Sequence, residues 1–166
     1  MTQKRLLFVC LGNICRSPSA EAVMKKLAQQ RGIEDKYVID SAGIIGHHEG
    51  EPADPRMQKH AEKRGVQLES LARQVRESDF DQFDLLFAMD QRNFLDLHEL
   101  APGEQQKKKI RRMCDFTRSS QFSGHQEVPD PYFGGSEGFE LVLDLLEDAC
   151  SGLLEELENQ GPTRER

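Results

Sequence analysis

The sequence has 166 residues, which is enough for one domain with a hydrophobic core and too few for a second catalytic domain. With 37% hydrophobic and 31% charged residues it is neither disordered nor fibrous, and no run approaches the roughly 20 apolar residues of a membrane span. The net charge of −7 argues against nonspecific attraction to nucleic acid or anionic lipid, so we expect no nucleic acid and no membrane as partners.

The first half of the chain alternates strand and helix signals. The apolar run at 6–9 predicts a strand that is covered on both faces and ends at Cys10. Ser17 as N-cap and Pro18 at the first helical position then predict a helix that stops near Gly32. The buried face of this helix is predicted to consist of Ala20, Val23, Met24, Leu27 and Ala28. A second strand is predicted at 37–40.

A long polar loop, GHHEGEPADP, follows the second strand. At its end, Asp54 and Pro55 repeat the cap-then-proline signal and predict a helix that ends near Gly65. A third strand at 84–89 leads into Asp90 as the cap of a helix through Leu100, and a fourth strand is predicted at 110–113. The last helix has the clearest amphipathic pattern, with one face formed by Phe139, Val142, Leu143, Leu146, Ala149, Cys150, Leu153, Leu154 and Leu157.

This alternation predicts an α/β fold. Four strands that are each followed by a helix imply right-handed crossovers and a four-stranded parallel sheet with helices on both faces. Ligands of such sheets bind beyond the carboxyl ends of the strands, where Cys10, Ser41 and Asp90 fall. We expect a single domain over residues 1–160 and a flexible tail over 161–166.

The segment CLGNICRS at 10–17 lies between the first strand and the first helix and predicts a phosphate-binding loop. Backbone N–H groups of such a loop converge on an oxyanion, and the helix N-terminus points its dipole at the same place. The pattern GxxxxGK[ST] of nucleotide hydrolases is absent, and a cysteine and an arginine stand in the loop instead. Arg16 can bind two phosphate oxygens at once, and Cys10 can attack the phosphorus if its thiol is ionised.

The segment from Cys10 to Ser17 matches the Cx5R[ST] signature of protein tyrosine phosphatases, and CLGNICRSP near the amino terminus resembles the low molecular weight class. The resemblance continues through SAG at 41–43, EPADPR at 51–56, AMDQRN at 88–93 and DPYFGG at 130–135. It implies hydrolysis of phosphotyrosine in proteins and of small aryl phosphates, with tyrosine-phosphorylated proteins as partners, tetrahedral oxyanions as inhibitors and a monomeric enzyme. It implies no cofactor and no metal.

The resemblance also assigns roles. Cys10 would be the nucleophile that forms a phosphocysteine, Arg16 the phosphate clamp and Asp130 the general acid. Ser17 would donate a hydrogen bond to the thiolate, and Asn13 would hold the loop through Ser41. The substrate would be bound by the loop residues together with a rim of aromatic and apolar side chains, namely Leu11, Gly12, Asn13, Ile14, Cys15, Ser17, His47, Tyr132 and Phe133.

Two positions depart from the pattern of the family. His47 stands where relatives carry a rim aromatic, so it either contacts the pocket or lies in a solvated loop. Ser70 stands where relatives carry a histidine that supports Asn13, which predicts a rewired network.

Two further loop residues bear on the substrate and on oxidation of the thiol. Relatives that act on phosphoarginine carry threonine where this sequence has Ile14, so we expect phosphotyrosine as the substrate. Cys15 is either a small buried residue or a disulfide partner for oxidised Cys10.

Two other functions use the same loop. Some arsenate reductases resemble this fold, but they need two further cysteines near the third strand, and 75–100 contain none. A noncatalytic phosphate-binding module would not need Cys10, Arg16 and Asp130 together. The four cysteines form no CxxC pair, and the N-terminal run RLLFVC is too short for a signal peptide, so we expect reduced thiols in a cytoplasmic protein.

Overall fold

A computed structural model describes residues 3–132 and 134–160, and its centre is one sheet. The strands are β1 (Lys4–Cys10), β2 (Tyr37–Gly43), β3 (Leu85–Ala88) and β4 (Ile110–Arg112). All pairings are parallel, and the order across the sheet is β2-β1-β3-β4. The predicted four-stranded parallel sheet is confirmed, and β1, the strand that leads into the phosphate-binding loop, lies in its interior.

In the residues that the structure describes, six α-helices and three 3-10 turns lie between or after the strands. The helices are α1 (Arg16–Gln30), α2 (Pro55–Glu62), α3 (Asp79–Gln82), α4 (Gln91–Leu100), α5 (Glu104–Lys107) and α6 (Ser136–Asn159). The 3-10 turns are Glu34–Lys36, Met113–Phe116 and Ser120–Phe122. In the described part of the chain, none of the helices combines the length and the apolar character that a membrane span needs.

Helices cover both faces of the sheet, as predicted. Because successive residues of a strand point to opposite faces, Leu6 and Phe8 of β1 pack in the core layer that contains α1 and α6. Leu7 and Val9 pack in a second layer with Leu97 of α4. The strand that carries Cys10 is therefore buried on both sides, which holds the start of the loop rigidly.

Three predicted boundaries were wrong. Helix α1 begins at Arg16 with Cys15 as N-cap, and Ser17 lies inside the helix because its hydroxyl bonds to the Cys10 thiol instead of capping. Strand β2 continues to Gly43, three residues beyond the predicted end, because it pairs with β1 as far as Cys10. Strand β4 ends at Arg112, one residue before its predicted end, because a 3-10 turn begins at Met113. The predicted tail at 161–166 and Phe133 lie outside the described residues.

Candidate active site

The phosphate-binding loop (residues 10–17) is shaped by Asn13 and by hydrogen bonds to neighbouring loops. Asn13 has a φ of 60°, in the left-handed region that asparagine tolerates, and its backbone N–H points at the Cys10 sulfur from 3.3 Å. The carbonyl oxygen of Leu11 accepts from the N–H of Ile45 at 3.0 Å, and that of Ile14 accepts from the N–H of Asp54 at 2.9 Å. The loop is therefore fixed from outside before any ligand binds.

Ser17 places a hydroxyl beside the Cys10 thiol. The Ser17 oxygen lies 3.0 Å from the Cys10 sulfur and accepts a hydrogen bond from the Asn13 side-chain amide at 2.8 Å. The hydroxyl hydrogen is then free to point at the sulfur, because the other acceptor near it, the Ala42 carbonyl, is 3.4 Å away. A hydrogen bond from Ser17 and one from the Asn13 N–H stabilise a thiolate on Cys10.

The side chain of Asn13 is held by a buried hydrogen-bond network. Its amide nitrogen donates to the Ser41 hydroxyl at 3.0 Å as well as to Ser17, and its oxygen accepts from the Arg73 N–H at 2.9 Å. Ser41 in turn donates to the carboxylate of Glu21, which is 5% exposed, at 2.6 Å. Glu21 supports the network from helix α1, a role that we did not predict from the sequence.

Ser70, one of the two predicted departures from the family pattern, lies beside this network. It lines a small cavity of about 160 Å³ together with Glu21 and Lys25. Lys25 donates to the outer oxygen of Glu21 at 2.6 Å, so that both carboxylate oxygens have partners. Ser41 therefore rests on a Glu21 carboxylate that pairs with Lys25, and the rewired network around Ser70 stays a prediction.

Arg16 is buried and faces the carboxyl end of strand β3, where Asp90 lies. Its guanidinium is 3% exposed and donates to Asp90 at 2.7 Å and to the Val128 carbonyl at 3.1 Å. Burial by itself lowers the pKa of Arg16. The nearby charges of Cys10, Asp90 and Asp130 raise this pKa by more than burial lowers it, so the pKa lies above its ordinary value. The guanidinium is therefore a permanent cation in a fixed orientation next to the sulfur.

Asp90 was predicted only as a helix cap, and the structure shows that it has two partners. One carboxylate oxygen accepts from the Asn93 N–H at 2.7 Å and caps α4, while the other accepts from Arg16. The sequence places it at the end of a strand, as it places Cys10 and Ser41, but does not predict its contact with Arg16. That position was the one signal in the sequence that pointed to a role in the site.

Asp130 approaches the loop from the segment before α6. Its carboxylate is 38% exposed, lies 3.6 Å from the Arg16 guanidinium and accepts from the Tyr132 N–H at 3.0 Å. The segment is tied down by the Val128 N–H, which donates to the Met89 carbonyl at 2.8 Å. A carboxyl group is thus available at the solvent-exposed mouth of the site.

These residues surround one cavity of about 250 Å³. Its lining comprises Cys10, Leu11, Gly12, Ile14, Cys15, Arg16, Ile45, His47, His48, Asp130 and Tyr132. The structure thus brings together the predicted residues that it describes, which excludes Phe133, with Asn13, Ser17 and Ser41 behind the loop as support. His47 contacts the pocket as one of the two alternatives predicted, and we did not predict Ile45 and His48.

Cys15 is a buried thiol in this structure. Cys15 and Cys10 are each 3% exposed, and neither is in a disulfide. Burial raises the pKa of Cys15, with a further contribution from the nearby Asp54 carboxylate, so the thiol stays protonated. Among the residues that the structure describes, no group of three or more His, Cys, Asp or Glu side chains is arranged to hold a metal ion.

Both the sequence and the fold match one family. Residues 5–163 match the family model of the low molecular weight phosphotyrosine protein phosphatases. The chain belongs to this family. It is 42% identical over 156 residues to a low molecular weight protein-tyrosine-phosphatase of Streptomyces coelicolor, with 94% of each protein covered. The predicted family is therefore confirmed.

Solved structures of the family have the same fold. A protein tyrosine phosphatase of Entamoeba histolytica, solved with Hepes in its active site, is 52% identical with a TM-score of 0.90, and the match covers 95% of this chain and 98% of that one. An arginine phosphatase of Drosophila is 31% identical with a TM-score of 0.84, and the match covers 92% of this chain and 97% of that one. This phosphatase fold thus carries more than one phosphate specificity.

Gly43 lies where this phosphatase loop passes closely over the end of β2. A Cβ atom at Gly43 would lie 3.0 Å from the Leu11 carbonyl oxygen and 3.1 Å from the Asn13 Cβ atom. We expect Gly43→Ala to displace the loop and to lower the free energy of unfolding by about 1 to 3 kcal/mol. Gly124→Ala is the matched control, since a Cβ there meets nothing within 4 Å. Equal urea midpoints for the two variants would contradict the close approach.

Asp90→Asn tests the orientation of the phosphate clamp. The amide oxygen of asparagine can still cap α4, but its NH2 group would face the Arg16 guanidinium and cannot accept from it. We expect kcat/KM to fall about 10-fold to 100-fold and inorganic phosphate to inhibit less strongly. Asp96→Asn, which alters an ion pair with the exposed Arg92 on the same helix, should change neither. Tighter inhibition by phosphate would show that Asp90 merely competes for the guanidinium.

Proposed function

We propose that this chain hydrolyses phosphotyrosine in proteins, and small aryl phosphates, through a phosphocysteine on Cys10. One observation carries the proposal: the Cys10 thiol, the Arg16 guanidinium and the Asp130 carboxyl line the same cavity. A nucleophile, an anion clamp and a proton donor that face one space are the parts that transfer of a phosphoryl group to sulfur requires.

In the first step the Cys10 thiolate attacks phosphorus. An S–P bond forms as the bond from phosphorus to the tyrosine oxygen breaks, and the leaving oxygen takes the proton of the Asp130 carboxyl group. Arg16 and the N–H groups of the loop bind the three remaining phosphate oxygens while their charge redistributes. The products are the dephosphorylated tyrosine side chain, or a phenol from a small aryl phosphate, and a phosphocysteine, with Asp130 left as a carboxylate.

In the second step water replaces the sulfur. The Asp130 carboxylate takes one proton from the attacking water, an O–P bond forms, and the S–P bond breaks. The Ser17 hydroxyl, 3.0 Å from the sulfur, stabilises the thiolate as it leaves. Inorganic phosphate departs, and both Cys10 and Asp130 return to their starting states.

The walls of the cavity support an aryl phosphate as substrate. Leu11, Ile14 and Tyr132 provide apolar and aromatic surface above the buried sulfur, and a flat ring can pack between them. The phosphate of a long aromatic side chain reaches the loop, whereas a phosphoserine side chain is too short to span the walls. Ile14 in place of threonine supports phosphotyrosine over phosphoarginine.

The arsenate reductase alternative finds little support in the thiols. Relay of a disulfide needs cysteines that can meet Cys10, but Cys114 lies in the turn after β4 and Cys150 is buried in α6. Burial raises the pKa of Cys114 to about 11, which leaves its thiol protonated and unreactive at neutral pH. Oxidation of protein thiols that depends on arsenate would favour the reductase instead.

Release of inorganic phosphate from matched peptides tests the specificity. We expect kcat/KM for a phosphotyrosine peptide to exceed that for the same peptide with phosphoserine by at least about 100-fold. A peptide with phosphoarginine serves as the third arm. Faster release from phosphoarginine would replace the proposed substrate, and no release from any of the three would favour a noncatalytic phosphate-binding module.

The chemistry also supports a location and a domain assignment. The proposed mechanism needs a reduced Cys10, and the four cysteines are free, which suits the cytoplasm. We treat residues 1–160 as one domain, because α6 packs in the same core layer as β1 and α1.

A further inference from the structure

Asp54 and Arg56, which begin helix α2, form a tightly bonded pair next to the phosphate-binding loop. One Asp54 oxygen accepts from the Arg56 Nε at 3.1 Å and from its backbone N–H at 2.8 Å, and the other accepts from its terminal nitrogen at 2.9 Å. These bonds hold the pKa of Asp54 below its ordinary value although burial opposes this. Asp54 is 7% exposed and its N–H donates to the Ile14 carbonyl, which anchors the pair to the loop.

The other side of Arg56 contacts the segment that carries Asp130. Its guanidinium donates to the Tyr132 carbonyl at 3.0 Å and lies 5.4 Å from the centre of the Tyr132 ring. It also lies 5.0 Å from the ring of Phe139, which is 1% exposed and fixed in the core by α6. One planar cation is thus held by a carboxylate and two aromatic rings while it binds a backbone carbonyl.

Tyr132 connects this cation to Asp130. The Tyr132 N–H donates to the Asp130 carboxylate at 3.0 Å, and the carbonyl of the same residue accepts from Arg56. The opposite end of the segment is held separately, by the bonds of Val128 to Met89 and Arg16. Arg56 therefore fixes the side of the segment that directly orients the Asp130 carboxyl group.

We propose that Arg56 is a positioning residue for the general acid, and that it acts from Asp54 through the Tyr132 backbone on Asp130. The inference rests on the proposed function. Without the guanidinium, the Tyr132 carbonyl loses its hydrogen bond to Arg56, and the segment from Asp130 to Tyr132 is tied less firmly to the phosphate-binding loop. The carboxyl group then spends less time within hydrogen-bond reach of the leaving oxygen, while Cys10 and Arg16 keep their places.

The test compares leaving groups. Proton donation matters most for a basic leaving group, so Arg56→Met should lower kcat/KM for phenyl phosphate about tenfold more than for 2,4-dinitrophenyl phosphate. Inhibition by inorganic phosphate, which reports the loop, should stay within about twofold of wild type. Arg56→Lys should recover part of the loss, because one ammonium cannot bind Asp54 in two places and also reach the Tyr132 carbonyl.

Two controls make the outcome decisive. Arg92→Met removes an 81% exposed arginine from α4 and should leave the dependence on the leaving group unchanged. In an Asp130→Ala background, Arg56→Met should not make kcat/KM depend more strongly on the leaving group, since the effect of Arg56 passes through Asp130. If Arg56→Met misfolds, Asp54→Asn, which keeps the helix cap and weakens the grip on Arg56, replaces it.

Two results would overturn the inference. An equal loss with all leaving groups would reduce Arg56 to a structural role, and a leaving-group effect that persists in the Asp130→Ala background would place its action elsewhere. Failure of the proposed function would look different, because the wild type would then release no phosphate or would keep its activity after loss of the Cys10 thiol.

Discussion

Replacing Cys10 by serine is expected to reduce phosphatase turnover by more than about 10⁴-fold, because a serine hydroxyl at neutral pH is protonated and a poor nucleophile. The Ser17 hydroxyl and the Asn13 N–H can stabilise a thiolate 3.0 and 3.3 Å away, but they cannot ionise an alcohol. Release of phosphate from p-nitrophenyl phosphate measures the loss. Binding of inorganic phosphate should survive in the variant, since the Arg16 clamp and the loop remain.

The controls for Cys10→Ser separate catalysis from stability. Cys114→Ser makes the same change in a buried cysteine outside the cavity and should keep turnover within about threefold of wild type. EDTA should leave the wild-type rate unchanged, because no step of the mechanism passes through a metal. Substantial activity in Cys10→Ser, or loss of turnover in EDTA, would refute the phosphocysteine mechanism.

Asp130→Ala should produce a loss that depends on the substrate. For phenyl phosphate we expect kcat/KM to fall by about 10²-fold to 10³-fold, because the departing phenolate must leave without a proton. For 2,4-dinitrophenyl phosphate the fall should be much smaller, since that anion is stable in water. A plot of log kcat/KM against the basicity of the leaving group gives the measurement, with a steeper slope for the variant.

Asp144→Ala is a suitable control for Asp130→Ala, since Asp144 pairs with Arg64 on the surface of α6 and is 50% exposed. Its slope should match the wild type. The same slope in Asp130→Ala and wild type would remove Asp130 from the role of general acid. Because the variant should still bind phosphotyrosine through Arg16, it can also retain substrate proteins for identification.

Local sequence signals predicted most of the secondary structure. The caps Asp54 and Asp90 accept the backbone N–H bonds expected of them, and the apolar run before Cys10 forms the interior strand. Such signals work because a cap or a strand depends on residues only a few positions apart. The predicted start of α1 at Ser17 was wrong, because the Ser17 hydroxyl is hydrogen-bonded to the Cys10 thiol and does not cap the helix.

In the candidate site, too, the residues that are close in sequence could be predicted and the contacts between distant residues could not. Residues of the phosphate-binding loop lie within eight positions and could be predicted together from chemistry. Asp130 was predicted only from the family resemblance, since an Asp-Pro pair is also a common turn. The contacts of Arg16 with Asp90, of Ser41 with Glu21 and of Arg56 with Tyr132 join residues that are 74, 20 and 76 positions apart, and no local pattern predicts them.

The sequence by itself determined the alternation of strands and helices and the cysteine and arginine of an anion-binding loop, because spacing along the chain controls both. Tertiary structure alone decided that the carboxylates of Asp90 and Glu21 support that loop. Asp90 reaches Arg16 because the parallel pairing of β1 with β3 brings the carboxyl ends of both strands to one edge of the sheet. Arg56 reaches Tyr132 because α2 and α6 pack beside each other, and only such packing turns residues distant in sequence into neighbours.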